Sequence, residues 1–415
     1  MNDASDDANA EPASEPAPEP PPLLELREVR PPVIETPEAL TAYCRAIAEG
    51  SGPVAIDAER ASGYKYSQRA YLIQVRRDGA GIGLIDPLFF DDLDELQDAI
   101  GSTEWILHAA SQDLVCLAEV GLRPRALFDT ELAGRLLNLP RVGLATLVEH
   151  YFGRSMAKAH SAADWSTRPL PDTWLDYAAL DVEVLCELRD LLADELQTAG
   201  KFEWARQEFD ALLSFTGPQP REEPWRRTSG MHKARGRRAL GIVRSVWEAR
   251  DAIAQQRDVA PGRILPDASI VELALNPPQS LAQLKGMRIM RNRGPRRFVD
   301  QWMDAVAAAL DLPERDLPTA GQRSEGPPPP RTWTDKNPAA ADRLGRCREV
   351  VAKLAAEHNL PGENLISPGV VRALAWAPPE PTSVSATAEA LTAAGARPWQ
   401  VELTAEQLAG ALTGP

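Results

Sequence analysis

The segment GPVAIDAE, Gly52 to Glu59, decides how the fold is read. Its apolar residues Val54, Ile56 and Ala58 alternate with Asp57 and Glu59. A strand sends successive side chains to opposite faces, so the two acids share one face and the apolar residues the other. AYLIQVRR (Ala70 to Arg77) and GIGLIDPL (Gly81 to Leu88) follow as two more β-rich runs across turn-like stretches. WILHAA (Trp105 to Ala110) and the apolar part of RALFDT (Arg125 to Thr130) read as shorter strands, each leading into a helix. Three closely connected strands followed by strand-helix alternation predict an α/β domain, a mixed sheet flanked by helices, over residues 31–215.

At 415 residues the chain has room for two or three domains, and 44% hydrophobic with 25% charged residues is a globular rather than a fibrous composition. No apolar run approaches membrane-spanning length, and the first residues lack a signal-peptide pattern. The expectation is a cytoplasmic protein with no membrane partner. Cys44, Cys116, Cys186 and Cys347 are dispersed, which argues against a cysteine zinc site or a disulfide framework and leaves them as small buried hydrophobes.

A net charge of -15 hides a strong asymmetry. Residues 1–30 open with Asp3, Asp6, Asp7, Glu11, Glu15 and Glu19 among prolines and alanines, a composition expected of a disordered acidic tail. Between Arg221 and Arg297 the balance reverses, with Arg226, Arg227, Lys233, Arg235, Arg237, Arg238, Arg244, Lys285, Arg288, Arg291, Arg293, Arg296 and Arg297. Such clusters are footprints of nucleic-acid contact, although arginine runs also occur on solvated helices. Proline-rich stretches at 216–225 and 313–333, the latter with Pro327 to Pro330 in succession, read as linkers bounding helical pieces at 226–312 and 334–415. The two pieces repeat each other. APGRILPDASIVELALNPP (Ala260 to Pro278) and LPGENLISPGVVRALAWAPP (Leu360 to Pro379) align Pro261 with Pro361, Leu273 with Leu374 and both terminal proline pairs. The second copy has lost most of the arginines and is the weaker candidate for binding nucleic acid.

In WLDYAALDVEVL, Trp174 to Leu185, the spacing of Leu175, Ala178, Val182, Leu185, Leu188 and Leu192 predicts one helix with a single apolar stripe. Asp181 falls at the edge of that stripe, where its charge has to be paired or coordinated. Tyr177 lies one turn earlier on the same flank, and a phenol-to-carboxylate hydrogen bond would by itself account for the pair. In ILHAASQDL, Ile106 to Leu114, a strand ends at His108, Ser111 is a candidate N-cap and Asp113 would stand in the first helical turn, where it could merely complement the helix dipole. Jointly, Asp57, Glu59, Asp113 and Asp181 can hold two hard divalent cations, which take oxygen ligands and promote in-line attack on a phosphodiester. Tyr177, a hydrogen-bonding group at neutral pH, is then placed to orient the attacking water.

These motifs, DAE at Asp57, HAASQDL around Asp113 and YAALD ending at Asp181, resemble the three exonuclease motifs of the ribonuclease D family, in the tyrosine-bearing branch of the DEDD 3′-to-5′ exonucleases. FDTELAGRLL (Phe128 to Leu137) and DWSTRPLP (Asp164 to Pro171) resemble its connecting segments. The resemblance implies an RNase H-like fold and two Mg²⁺ or Mn²⁺ ions on Asp57, Glu59, Asp113 and Asp181, with Tyr177 beside the attacking water. Asp176 stands where the histidine-bearing branch would have its histidine, and Ala58 replaces the threonine of many relatives. The helical pair resembles HRDC modules, the second copy divergently. No GxxxxGK[ST] loop is present, so there is no helicase motor.

The expected activity is metal-dependent 3′-to-5′ trimming of RNA ends by two-metal hydrolysis, releasing nucleoside 5′-monophosphates. Single-stranded 3′ ends of structured RNA such as tRNA precursors are the implied substrates, and the basic first HRDC module an accessory contact. A DNA exonuclease of the same superfamily and a non-catalytic RNA-binding scaffold are the competing readings. His108, Lys158, His160, Trp165 and Arg168 stay outside the catalytic set: Lys158 and Arg168 could meet phosphates and Trp165 a base, but interior packing accounts for Trp165 and His108 at least as well.

Overall fold

The computed structural model describes residues 20–157, 160, 162–319 and 326–414. Most of the acidic tail, residues 1–19, and Lys158 lie outside these. Six strands, β1 (Val33–Ile34), β2 (Ser51–Arg60), β3 (Ala70–Asp78), β4 (Gly81–Ile85), β5 (Glu104–Leu107) and β6 (Ala126–Asp129), form one sheet in the order β1-β4-β3-β2-β5-β6. β2, β3 and β4 pair antiparallel, while β5 and β6 run parallel to β2, and β1 parallel to β4. The sheet is mixed, as the sequence predicts, with β1 as an additional two-residue edge. Two strands stop earlier than expected. β4 ends at Ile85 because Asp86 turns the chain, its carboxylate accepting from the Leu88 amide at 3.0 Å. β5 ends at Leu107 because Ala109 adopts a left-handed φ of 60°.

Both sheet faces are covered, and this corrects the single helix expected from Leu175 to Leu192. There are two, Asp172–Glu183 and Leu185–Thr198, separated at Val184. Leu175, Ala178 and Ala179 of the first pack with Leu72, Leu84 and Trp165 on the acid-bearing face of the sheet. Leu185, Leu188 and Leu192 of the second join Ile56, Ala58, Ile73, Val75 and Ile85 on the opposite face, with Leu40, Cys44 and Ile47. One straight helix could not cover two faces; the break lets a continuous stripe do so. All four cysteines are buried and free.

The internal repeat is realised as the same helical order twice. Arg237–Arg257, Pro261–Ile264 and Asp267–Leu275 recur as Pro338–Glu357, Gly362–Leu365 and Pro368–Trp376. The expected linker boundaries need adjusting, because tryptophans at their ends are core residues. Trp225 is buried in the first module, and Trp333 in the second, where its indole donates to the Pro328 carbonyl at 2.7 Å. The other linker end is also engaged: Leu317 is buried, and its carbonyl accepts from Arg237 at 2.7 Å. Residues 20–30, expected to continue the tail, instead lie against the sheet domain. The Leu24 amide donates to the Ser155 carbonyl at 2.8 Å, and Arg30 pairs with Asp172 and Asp176 at 2.6 and 2.7 Å. The second module packs on the sheet domain through Trp399, stacked on Trp204 with ring centroids 5.0 Å apart. Among the described residues no helix is long and apolar enough to cross a membrane.

Candidate active site

Asp57 and Glu59 project from β2, and Asp181 from the helix laid over that face. One carboxylate oxygen from each of the three lies within 4.8 Å of the others. Asp113 joins them through charge. Its Oδ1 is 3.6 Å from Nη2 of Arg60, and it raises the carboxyl pKa of both Glu59 and Asp181. Its local position differs from expectation. Ala110–Gln112 form a 3-10 turn, so Ser111 caps nothing, and Asp113 is itself the N-cap position of the helix Leu114–Glu119 without making a capping bond. A carboxylate at an N-cap normally closes on the N2 or N3 amide. Here it is left free for the other acids.

Asp129 holds that junction in place. Its buried carboxylate accepts from the Ala109, Ala110, Glu131 and Leu132 amides at 3.1, 2.8, 2.9 and 3.1 Å. The left-handed backbone of Ala109, unfavourable for a residue with a side chain, is thereby tied to the start of the next helix.

Burial pushes all four acids upward in pKa, and neighbouring carboxylates push Glu59, Asp113 and Asp181 further. Glu59 is raised to about 10, first by desolvation and then by Asp57, Asp181 and Asp113, with Arg60 opposing. Desolvation likewise raises Asp57, against a backbone hydrogen bond from Ala58 and the charge of Arg60, and it raises Asp113 and Asp181 well above the carboxylate range. Tyr177 is raised by burial and by Asp181, Glu59 and Asp57, which keeps the phenol neutral. The His160 ring stands 5.9 Å from it, nearly perpendicular. Four desolvated oxygen donors facing a single guanidinium are under-compensated, and this donor set fits hard divalent cations.

A cleft of about 260 Å³ opens beside this cluster, lined by Ala58, Glu59, Arg60, Ser62, Gly63 and Ala163 among others. Trp165, Arg168 and His108 are held by interior contacts. Trp165 is fully buried, and its indole donates to the His160 carbonyl. Arg168 binds Asp86 at 2.5 Å and the Tyr71 carbonyl at 2.7 Å. His108 Nδ1 meets the Thr130 hydroxyl at 2.9 Å, and burial lowers its pKa to about 4. Arg60, Asp129 and Gln74 also belong to the site, and no local sequence pattern marks them. Arg60 would face away from Glu59 in a regular strand, but the β2–β3 register shifts between these two residues, and such bulges re-aim side chains.

Residues 31–197 match the 3′-5′ exonuclease family, 239–306 the HRDC domain, and 326–412 the 3′ to 5′ exonuclease C-terminal domain. Over 340 residues the chain is 30% identical to ribonuclease D of Jannaschia sp., covering 79% of this chain and 84% of that protein. The chain belongs to the ribonuclease D family. Members of this family act on RNA, and the chain is a 3′-to-5′ exoribonuclease. The crystal structure of Escherichia coli RNase D, an exoribonuclease involved in structured RNA processing, superposes with a TM-score of 0.64 at 26% identity, covering 87% of this chain and 97% of that one. A crystal structure of a protein from Bifidobacterium adolescentis superposes with a TM-score of 0.88 at 40% identity, covering 95% of this chain and 100% of that one. The RNase H-like reading of the sheet and the helical HRDC-bearing C-terminal half stand together in this architecture.

Proposed function

We propose that the chain removes nucleotides singly from RNA 3′ ends and releases nucleoside 5′-monophosphates, with Asp57, Glu59, Asp113 and Asp181 holding two Mg²⁺ or Mn²⁺ ions. The observation that carries this reading is the convergence of three carboxylates within 4.8 Å, on which the charge of Asp113 also acts. Bound there, the cations supply acidity to a water and neutralise charge on the scissile phosphate. The chain's own groups do the rest. Tyr177, a neutral phenol, hydrogen-bonds and orients the attacking water. Arg60 offsets the acids at the cleft mouth and meets the phosphate.

The basic module supports a path for the RNA body. Several of its arginines are consumed internally: Arg226 by Glu223, Arg238 by the Leu312 carbonyl and Glu314, Arg244 by the Asp316 carbonyl, and Arg250 by Asp267. Lys285, Arg288, Arg291, Arg293, Arg296 and Arg297 are exposed and form no ion pair among the described residues. This edge reaches the cleft. Gly294 packs so closely on the Arg263 carbonyl that a Cβ there would stand 2.6 Å away, Arg263 donates to the Gly63 carbonyl at 2.8 Å, and Gly63 shares the cleft with Glu59. A duplex-bearing RNA such as a tRNA precursor would rest on the edge while its single-stranded 3′ end enters the cleft.

The test is incubation of a 5′-labelled, 3′-extended RNA hairpin and a matched DNA with Mg²⁺. Single-nucleotide shortening of the RNA, abolished by EDTA, is expected. Shortening that survives EDTA, or a preference for DNA, would contradict the proposal.

A further inference from the structure

Gln74 lies in the middle of β3, where no part of it is exposed. Neither its Nε2 nor its Oε1 has a hydrogen-bond partner among the described residues. Buried amides are almost always satisfied, and an orphaned one calls for a specific cause. A primary amide carries two N–H donors and an acceptor, so a leucine or methionine would fill the same space without leaving any group unpaired.

Its neighbours narrow the cause. In the β2–β3 register Gln74 stands directly opposite Asp57, two residues from the pair Glu59 and Leu72 on the same face, and on its other side it faces Leu84 of β4. Directly opposed residues share a face, with Cβ atoms about 4.5–5.5 Å apart. Leu72 and Leu84 are covered by the helix Asp172–Glu183, which carries Tyr177 and Asp181. The amide is therefore enclosed on the acid-bearing face. Arg76, next along that face, offers only donors and cannot satisfy Nε2. The acceptor directly across the strand pair is the Asp57 carboxylate.

We infer that Gln74 is a positioning residue for Asp57. Its Nε2–H holds that carboxylate through one bridging water in the orientation that ligates a divalent cation. This rests on the reading of Asp57 as a metal ligand. The groups that orient a ligand from behind tune metal affinity, and their loss typically weakens it 10- to 100-fold.

The test uses the full chain as Gln74→Met, which keeps side-chain length but removes both polar ends, with Asp57→Asn in parallel. Mn²⁺ affinity is read by electron paramagnetic resonance without RNA, and the metal-free Tm is measured alongside. Gln74→Met should weaken Mn²⁺ binding about 10- to 100-fold, lower kcat with little change in KM, and leave the metal-free Tm equal or higher. A purely structural glutamine would lower that Tm and leave Mn²⁺ affinity unchanged. That result, or unchanged affinity at any Tm, overturns the inference. If Gln74→Met does not fold, Gln74→Asn, which retracts the amide by one methylene, is held to the same affinity criterion. Wild-type Mn²⁺ affinity in Asp57→Asn would instead overturn the ligand assignment on which the inference stands.

Discussion

Replacing Asp181 by asparagine removes one negative charge from the cluster while preserving shape. The carboxylate oxygens lie within 4.8 Å of one another; at that limit and an effective dielectric constant of about 20, each pair of ionised carboxylates repels by about 3.5 kcal/mol. Asp181 forms two such pairs, with Asp57 and Glu59, so with all three ionised the repulsion it contributes is about 7 kcal/mol or more, and Asp113 adds to it. In metal-free protein the raised pKa values mean that protons already relieve most of it. Asp181→Asn should therefore leave the metal-free Tm unchanged or raise it by a few degrees. Metal tells the opposite story. Mg²⁺ at a hundred times its Kd stabilises the wild type by about 2.7 kcal/mol, which for a domain of this size is about 5–11 °C in Tm. The variant should lose most of that increment. Its exonuclease rate should fall at least about a thousandfold, or about 4 kcal/mol of transition-state stabilisation, while RNA affinity without metal persists. Thermal scans with and without Mg²⁺, paired with single-turnover trimming of labelled RNA, measure each part. A near-wild-type rate, or a metal-free Tm lowered by several degrees, would refute the assignment of Asp181.

The elevated acid pKa values also fix a sign for pH dependence. A carboxyl raised in the folded state binds more protons folded than unfolded, so its contribution is fully present below the unfolded value, 4.5 for Glu59, and is lost as pH rises toward about 10. The metal-free Tm should fall across that window and the Tm gain from Mg²⁺ should grow, which a thermal scan from pH 5 to 9 in EDTA and in Mg²⁺ measures. Reversing Arg293, Arg296 and Arg297 to glutamate should weaken RNA binding and flatten its salt dependence with little change in cleavage of a dinucleotide, whereas equal losses on both substrates would place that edge in the catalytic centre. Asp129→Ala leaves four backbone amides without their acceptor and should destabilise the sheet domain by about 3 kcal/mol and slow trimming through Asp113, as urea unfolding and rate assays would show.

Much of this was legible in local patterns. Alternation in GPVAIDAE places Asp57 and Glu59 on one face of β2, as the structure has them, and helical spacing puts Asp181 at the edge of the apolar stripe, where the structure buries it. The repeat between the two helical pieces also appears as matching helices. What escaped depends on contacts distant in sequence. The break at Val184 arises because the two halves of one apolar stripe cover different sheet faces, which periodicity does not distinguish. Nothing local marks Asp129, because its role comes from bonds to Ala109 and Ala110, about twenty residues away. Gln74 and Arg60 acquire meaning only through the β2–β3 register and its irregularity. Trp225 and Trp333 sit beside proline-rich stretches, and only tertiary burial shows that they belong to cores.

The account rests on four acids sharing cations at one end of the sheet. Anomalous diffraction from a crystal soaked in Mn²⁺ with a short oligonucleotide tests this most directly. Two peaks about 3.5–4 Å apart, bounded by Asp57, Glu59, Asp113 and Asp181, are predicted. Peaks elsewhere, or none with the oligonucleotide bound in the cleft, would contradict it.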